Sequence, residues 1–242
     1  MEQHFSGEEK VGAIVAAFPG ASHLFKEVNI DFCCGGDLSL RQAIRQRKLD
    51  ENEILRRLNE SYAEMKSRDS RRETDWRAAP IADLIDHIVQ HHHVYLRKEL
   101  PLLSEFVTKI LRVHGSGHPE LSLLHKAFHQ MKIELDQHLI VEEEVLFPLL
   151  RQYAEEPTAE KREQAVKGLR ELETDHHTVG NYLKEMRAVT DGYALPPGAC
   201  RTYTLAFQKL IELESDLFQH IHLENNVLFP RIEDQPVPPM GG

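Results

Sequence analysis

The chain has 242 residues, room for one large domain or for two smaller compact units. Hydrophobic residues make up 41% and charged residues 28%, the balance of a folded protein and not of a disordered or fibrous one. Lys and Arg total 29 against 39 Asp and Glu, a net charge of -10, so a phosphate backbone has no general attraction for it and nucleic acid is not an expected partner. No apolar run approaches the roughly 20 residues that cross a bilayer, and the opening MEQHFSGEEK lacks the basic start and apolar stretch of a secretory leader. A cytoplasmic protein with no membrane partner is expected. Cys33 and Cys34 are adjacent and Cys200 is remote, which is not the arithmetic of a disulfide scaffold and suits a reducing compartment. Fifteen histidines are the anomaly, because His is both the commonest metal ligand and the side chain that titrates near neutrality.

In chain order, residues 1–65 read as a small helical domain. Helical patches lie at Glu8–Ala17, Gly20–Val28, Leu38–Arg47 and Asn52–Met65, separated by Pro19 and by the glycines of DFCCGGD. Residues 66–79, beginning KSRDSRRETDWR, are charged and poor in apolar side chains, the composition of an exposed linker. Residues 80–232 read as four long helices. The first, from Pro80 to about Leu111, carries Ile81, Leu84, Ile85, Ile88, Val89, Leu96, Leu100 and Leu103, with Pro101 predicting a kink or break. The second has Leu121, Leu124, Phe128, Met131, Leu135, His138, Glu142, Val145 and Leu149 at steps of three and four, the stripe of a helix facing a core. The third runs Leu169, Leu172, His176, Val179, Leu183 and Met186; the fourth runs Tyr203, Ala206, Leu210, Leu213, Leu217, His220, Glu224 and Val227. Glycines and prolines at 115–119, 157 and 192–198 punctuate them, so the fold class is all-α, an up-and-down four-helix bundle. The Pro-rich tail, residues 233–242, is expected to be disordered.

An internal repeat organises the bundle. HLIVEEEVLFP, residues 138–148, returns as HIHLENNVLFP, residues 220–230, and His93 and His176 precede the two copies by 45 and 44 residues. A glutamate within an apolar stripe is unfavourable unless it is paired, protonated or bound to a cation. In H-x-x-x-E the histidine lies one turn earlier on the same face, so His138 with Glu142 and His220 with Glu224 each aim an imidazole and a carboxylate at one point in the core. His93 and His176 add two further imidazoles. Spacing from Ile88, Val89 and Leu96 admits either His92 or His93, and the near-equal repeat interval favours His93. Imidazole with carboxylate suits iron, manganese or zinc. Six ligands with twofold pseudo-symmetry point to two metals bridged by the carboxylates, and two non-haem irons are the most economical choice. His177 and His222 fall off these faces, and His87, His114, His118, His125 and His129 read as surface, capping or supporting residues.

The vicinal cysteines admit several readings: a redox pair, a metal-binding pair, thiols that react with nitric oxide, or small residues turning a corner. Gly35 and Gly36 permit close approach, and a helix beginning near Leu38 would favour thiolate if its N-terminus faced them. Cys200, at the start of the fourth helix, reads as structural.

His93, His138, Glu142, His176, His220 and Glu224, with both VLFP endings, resemble the ligand pattern of hemerythrin-like di-iron bundles. Joined to a domain bearing DFCCGG, the pattern is similar to the iron–sulfur cluster repair di-iron proteins. That resemblance implies a cytoplasmic stress-response protein whose partners are iron–sulfur proteins damaged by nitrosative or oxidative chemistry, with nitric oxide or dioxygen as small ligands. It also implies that the two glutamates bridge the irons, with an oxo or hydroxo bridge alongside them. Glu134 and Asp175 match acidic residues near the family's site, Asp175 being one carbon shorter than the usual acid. Iron supply from a labile centre is the function it favours, nitric oxide binding or reduction the alternative; a homodimer is compatible with either.

Overall fold

The computed structural model describes residues 4–67 and 74–234. Among them the secondary structure is helical, with one isolated bridge between Lys10 and Ser39. Four short helices open the chain: α1 (Val11–Ala17), α2 (Ala21–Glu27), α3 (Leu40–Arg47) and α4 (Glu51–Ser67). Ser39 caps α3 by accepting from the Gln42 backbone N–H while the Gln42 side chain accepts from the Ser39 N–H, a reciprocal box that fixes where this helix starts. Lys48 then closes it in the left-handed region at φ 55°. Val11, Ile14, Val15, Phe25, Ile30, Phe32, Leu40, Ile44 and Leu58 are buried between these helices. Part of the expected linker, residues 68–73, and the tail from residue 235 lie outside the described residues.

The first bundle helix comprises α5 (Ile81–His87), a π-helical turn π1 (Ile88–His93) and α6 (Val94–His114). The second comprises α7 (Glu120–Val141), π2 (Glu142–Leu146) and α8 (Phe147–Glu155). The third is the uninterrupted α9 (Ala159–Val189), whose N-cap Thr158 accepts from the Lys161 N–H. The fourth comprises α10 (Arg201–Leu223), π3 (Glu224–Leu228) and α11 (Pro230–Glu233). Helix α7 packs on both α6 and α9. Ile85–His220 form one compact unit, while the described residues up to Leu84 together with residues 221–234 form another. The fourth helix is continuous across residue 220.

Two sequence expectations are corrected. Pro101 does not end the first helix, because α6 runs through it. The proline lies on the exposed side, where water can satisfy the carbonyl that its missing N–H leaves. The stripe of the second helix also does not continue to Val145 and Leu149. Val145 is 61% exposed, and Leu146 and Leu150 are buried in its place. The π2 turn inserts one residue after Glu142 and rotates every later side chain by one position.

Candidate metal centre

Three π turns fall where the candidate ligands sit: π1 ends at His93, π2 begins at Glu142 and π3 begins at Glu224. Single π turns often occur at functional sites because they re-aim a side chain without ending the helix. The residues drawn from the repeat meet in two groups, His93, Glu142, His220 and Glu224 in one and His138, Glu142, His176 and Glu224 in the other. Within each group one ligand atom per residue lies within 4.8 Å of the rest. All six residues are buried, both glutamates completely.

Glu142 belongs to both groups and divides its oxygens between them. Its Oε2 lies 3.4 Å from His93 Nε2 and its Oε1 lies 3.3 Å from His138 Nε2. The imidazoles meet nitrogen to nitrogen, His93 Nε2 at 3.1 Å from His220 Nε2 and His176 Nε2 at 3.0 Å from His138 Nε2. Two of the outer nitrogens face carboxylates. His93 Nδ1 donates to Glu143 Oε1 at 2.7 Å, and Glu143 also receives Arg97 at 2.8 Å. His138 Nδ1 lies 3.4 Å from Asp175 Oδ2. A proton held on Nδ1 leaves Nε2 with a lone pair aimed inward, the tautomer a metal requires.

These residues fit a metal. Imidazole nitrogens about 3 Å apart, beside a carboxylate with no exposed surface, bring together electron-pair donors of the kind that hold a cation. The donor set of imidazole and carboxylate, without thiolate, suits iron or manganese and is not that of a cysteine-rich structural zinc.

Of the other sequence candidates, His92 is buried beside His93 but belongs to neither group. Its Nδ1 donates to Asp216 Oδ1 at 2.9 Å, and its ring stacks on that of His220 with centroids 5.4 Å apart. Glu134 is half-buried one turn before His138 and is not among the converging groups. Asp175 reaches the outer face of His138 but is itself 45% exposed. His177 is exposed. Cys200 is exposed, with Sγ 3.2 Å from His114 Nε2.

Sequence reasoning missed four supporting residues: Glu143, Arg97, Asp216 and His222. Burial works to raise the Glu143 pKa, but the Arg97 guanidinium and the His93 ring outweigh it and hold the carboxyl below its ordinary value. His222, expected off the core, is 3% exposed with its ring edge-on to Phe32. Burial lowers its pKa to about 4 against an opposing hydrogen bond to the Phe32 backbone.

The cysteine loop is ordered around Asp31. Asp31 Oδ1 accepts from the N–H groups of Cys33, Cys34 and Gly35 at 3.2, 3.0 and 3.1 Å. Cys33 is buried and Cys34 half-buried, and neither is in a disulfide. Asn226 Nδ2 donates to the carbonyls of Phe32 and Cys33 at 3.3 and 3.1 Å. The sequence left open whether a helix N-terminus would favour thiolate here. At Cys33 the balance runs the other way, the neighbouring Cys34 thiol first and burial second pushing its pKa well up.

Comparison with known proteins agrees with this architecture. Residues 83–232 match the hemerythrin HHE cation binding domain, and residues 7–62 match ScdA_N, a domain of unknown function. The chain is 37% identical over 227 residues to the iron–sulfur cluster repair protein YtfE of Musicola paradisiaca (strain Ech703), covering 93% of this chain and 96% of that one. It is 35% identical over 224 residues to YtfE of Shigella boydii serotype 4 (strain Sb227) and 34% identical to YtfE of Escherichia coli O1:K1 / APEC, with the same coverage. The chain belongs to the family of these iron–sulfur cluster repair proteins, built on a hemerythrin-type cation-binding bundle.

Proposed function

We propose that the protein repairs iron–sulfur clusters damaged by nitrosative or oxidative stress, supplying iron from a carboxylate-bridged di-iron centre held by His93, His138, Glu142, His176, His220 and Glu224. The observation that supports this reading is Glu142, whose two oxygens face imidazoles of two different groups, as a bridging carboxylate's would. Iron bound there supplies Lewis acidity and one-electron chemistry. The chain's own residues set the terms: Glu143, held by Arg97, keeps the His93 Nδ1 proton, and Asp175 faces that of His138. Because Asp175 is half-exposed, water competes for its contact with His138, which suits a centre that releases metal. Glu134 stands a turn away as a further acidic group. Cys33 and Cys34 are the thiols of the repair function, acting in redox or iron handling. Damaged iron–sulfur proteins are the partners, and the cytoplasm is the compartment consistent with free thiols.

A specific observation favours a second activity at the same centre. Each group offers four protein ligands, two fewer than an octahedral ion takes, so nitric oxide or dioxygen has room to bind and nitric oxide has room to be reduced. The test is reactivation: iron-loaded protein is expected to restore a nitric-oxide-inactivated cluster dehydratase under anaerobic conditions, and the Glu142→Ala and Glu224→Ala variants are expected not to. Equal recovery with these variants would refute the di-iron role in repair.

A further inference from the structure

The loop that carries the vicinal cysteines holds three donors of a different chemical character from those of the bundle. Asp31, Cys33 and Cys34 form a group whose ligand atoms all lie within 4.8 Å of one another. Cys33 Sγ is 3.9 Å from Cys34 Sγ and 3.3 Å from Asp31 Oδ1. Around a tetrahedral ion with metal–sulfur bonds of about 2.3 Å, two thiolates sit about 3.8 Å apart, and a thiolate and a carboxylate oxygen about 3.6 Å apart. The loop therefore holds the two sulfurs at ligating separation, with the Asp31 carboxylate beside them.

This arrangement is built into the backbone. The Asp31 carboxylate is fixed by three successive N–H groups. The carbonyls of Phe32 and Cys33 are held from outside by Asn226, and Phe32 is packed by His222. The close fit requires glycine at three points. A Cβ on Gly35 would lie 2.9 Å from the Asp31 carbonyl oxygen, and one on Gly36 or Gly12 would lie 2.3 or 2.0 Å from Asn226 Oδ1. His222 and Asn226 each stand two residues from Glu224 in sequence, so the turn that presents a candidate bundle ligand also fastens the cysteine loop.

We propose that Asp31, Cys33 and Cys34 form a second cation site, a three-donor thiolate and carboxylate site for one ferrous ion. Binding replaces the two thiol protons, which pass to solvent, and no electron is transferred. Three protein donors leave a tetrahedral ion with one open position, which makes the site one of exchange and not of storage. Sulfur donors also match the ligands that hold iron in cluster proteins, so the site offers an iron ion the ligand type that it takes in a cluster. A part in repair rests on the iron-supply reading above; the binding itself does not.

Anaerobic titration of the full-length, reduced, metal-free protein with Co(II) tests the proposal. It is done in a Cys200→Ser background, so that the exposed third thiol does not contribute. Cobalt in the bundle gives only visible d–d absorption, whereas cobalt on Cys33 and Cys34 adds near-ultraviolet sulfur-to-cobalt charge transfer. The expected result is a charge-transfer band whose full intensity corresponds to one thiolate-bound cobalt per chain and which is abolished in Cys33→Ser/Cys34→Ser. The single variant Cys34→Ser, at the half-buried position, is expected to lose about half of the band with the fold intact. Asp31→Asn keeps an Oδ1 acceptor for the three N–H groups and is expected to weaken cobalt binding to the loop about tenfold, within the range that loss of a supporting group produces in metal sites. Visible bands without charge transfer, or charge transfer that survives the double serine variant, would overturn the thiolate site while leaving the bundle centre standing. Absence of both kinds of absorption would overturn both.

Discussion

Replacing Gly12 by alanine probes how firmly the fourth helix end grips the cysteine loop. In isolation, alanine in the first turn of α1 is preferred over glycine by up to about 1 kcal/mol. Here the added Cβ would stand 2.0 Å from Asn226 Oδ1 and 2.5 Å from its Cγ, so the Asn226 side chain must leave. Its amide then no longer reaches the Phe32 and Cys33 carbonyls, and each half-buried carbonyl left without that donor costs about 1–2 kcal/mol. The net expectation for Gly12→Ala is a destabilisation of about 1–3 kcal/mol, opposite in sign to helix propensity. Asn226→Ala alone is expected to cost about 2 kcal/mol. The double variant is expected to be no worse than Asn226→Ala, because the clashing atoms are gone, which gives a coupling of about 2 kcal/mol in a double-mutant cycle. Guanidinium unfolding followed by fluorescence of Trp76 measures this locally. It is the only tryptophan in the chain, and its carbonyl accepts from Arg231 in the same compact unit. Additive effects of the two substitutions, or stabilisation by Gly12→Ala, would refute the reasoning.

Three further outcomes are expected. Glu142→Ala and Glu224→Ala are each expected to lower iron content below one ion per chain, measured by elemental analysis after anaerobic loading; unchanged content in both would contradict a shared carboxylate bridge. Glu143→Ala removes the acceptor that holds the His93 Nδ1 proton, and a loss of about 10–100-fold in iron affinity is expected, read by competition with a ferrous chelator. Arg187→Ala strands the Glu214 carboxylate, which is 8% exposed and bound by the guanidinium at 2.6 and 2.9 Å. Because Arg187 is itself 39% exposed, a destabilisation of about 1–2 kcal/mol is expected, whereas Arg187→Leu/Glu214→Leu is expected to recover most of it in the same unfolding assay.

The bundle was legible because its information is periodic. Leu169, Leu172, His176, Val179, Leu183 and Met186 fall on one face of an unbroken α9, and all are buried. The same periodicity failed after Glu142, where a π turn inserts a residue and exchanges Val145 for Leu146 at the core. A regular step of three and four cannot reveal such an insertion in advance. Glu143, Arg97 and Asp216 were invisible for another reason, since their roles depend on how neighbouring helices are rotated against each other. Asn226 did leave a trace. In the repeat it stands where the first copy has Glu144, and His222 stands where the first copy has the exposed Ile140. A carboxylate cannot donate to a carbonyl and an amide can, so the departure from internal symmetry marks the copy that fastens the cysteine loop.

The most direct test of the central claim is the fate of the iron itself. The protein is loaded anaerobically with iron-57, mixed with a cluster protein inactivated by nitric oxide, and followed by Mössbauer spectroscopy. Label appearing in a rebuilt cluster, with activity regained in step, is the expected result. Label that stays in the bundle while the acceptor remains inactive would contradict iron supply and assign the centre to nitric oxide chemistry.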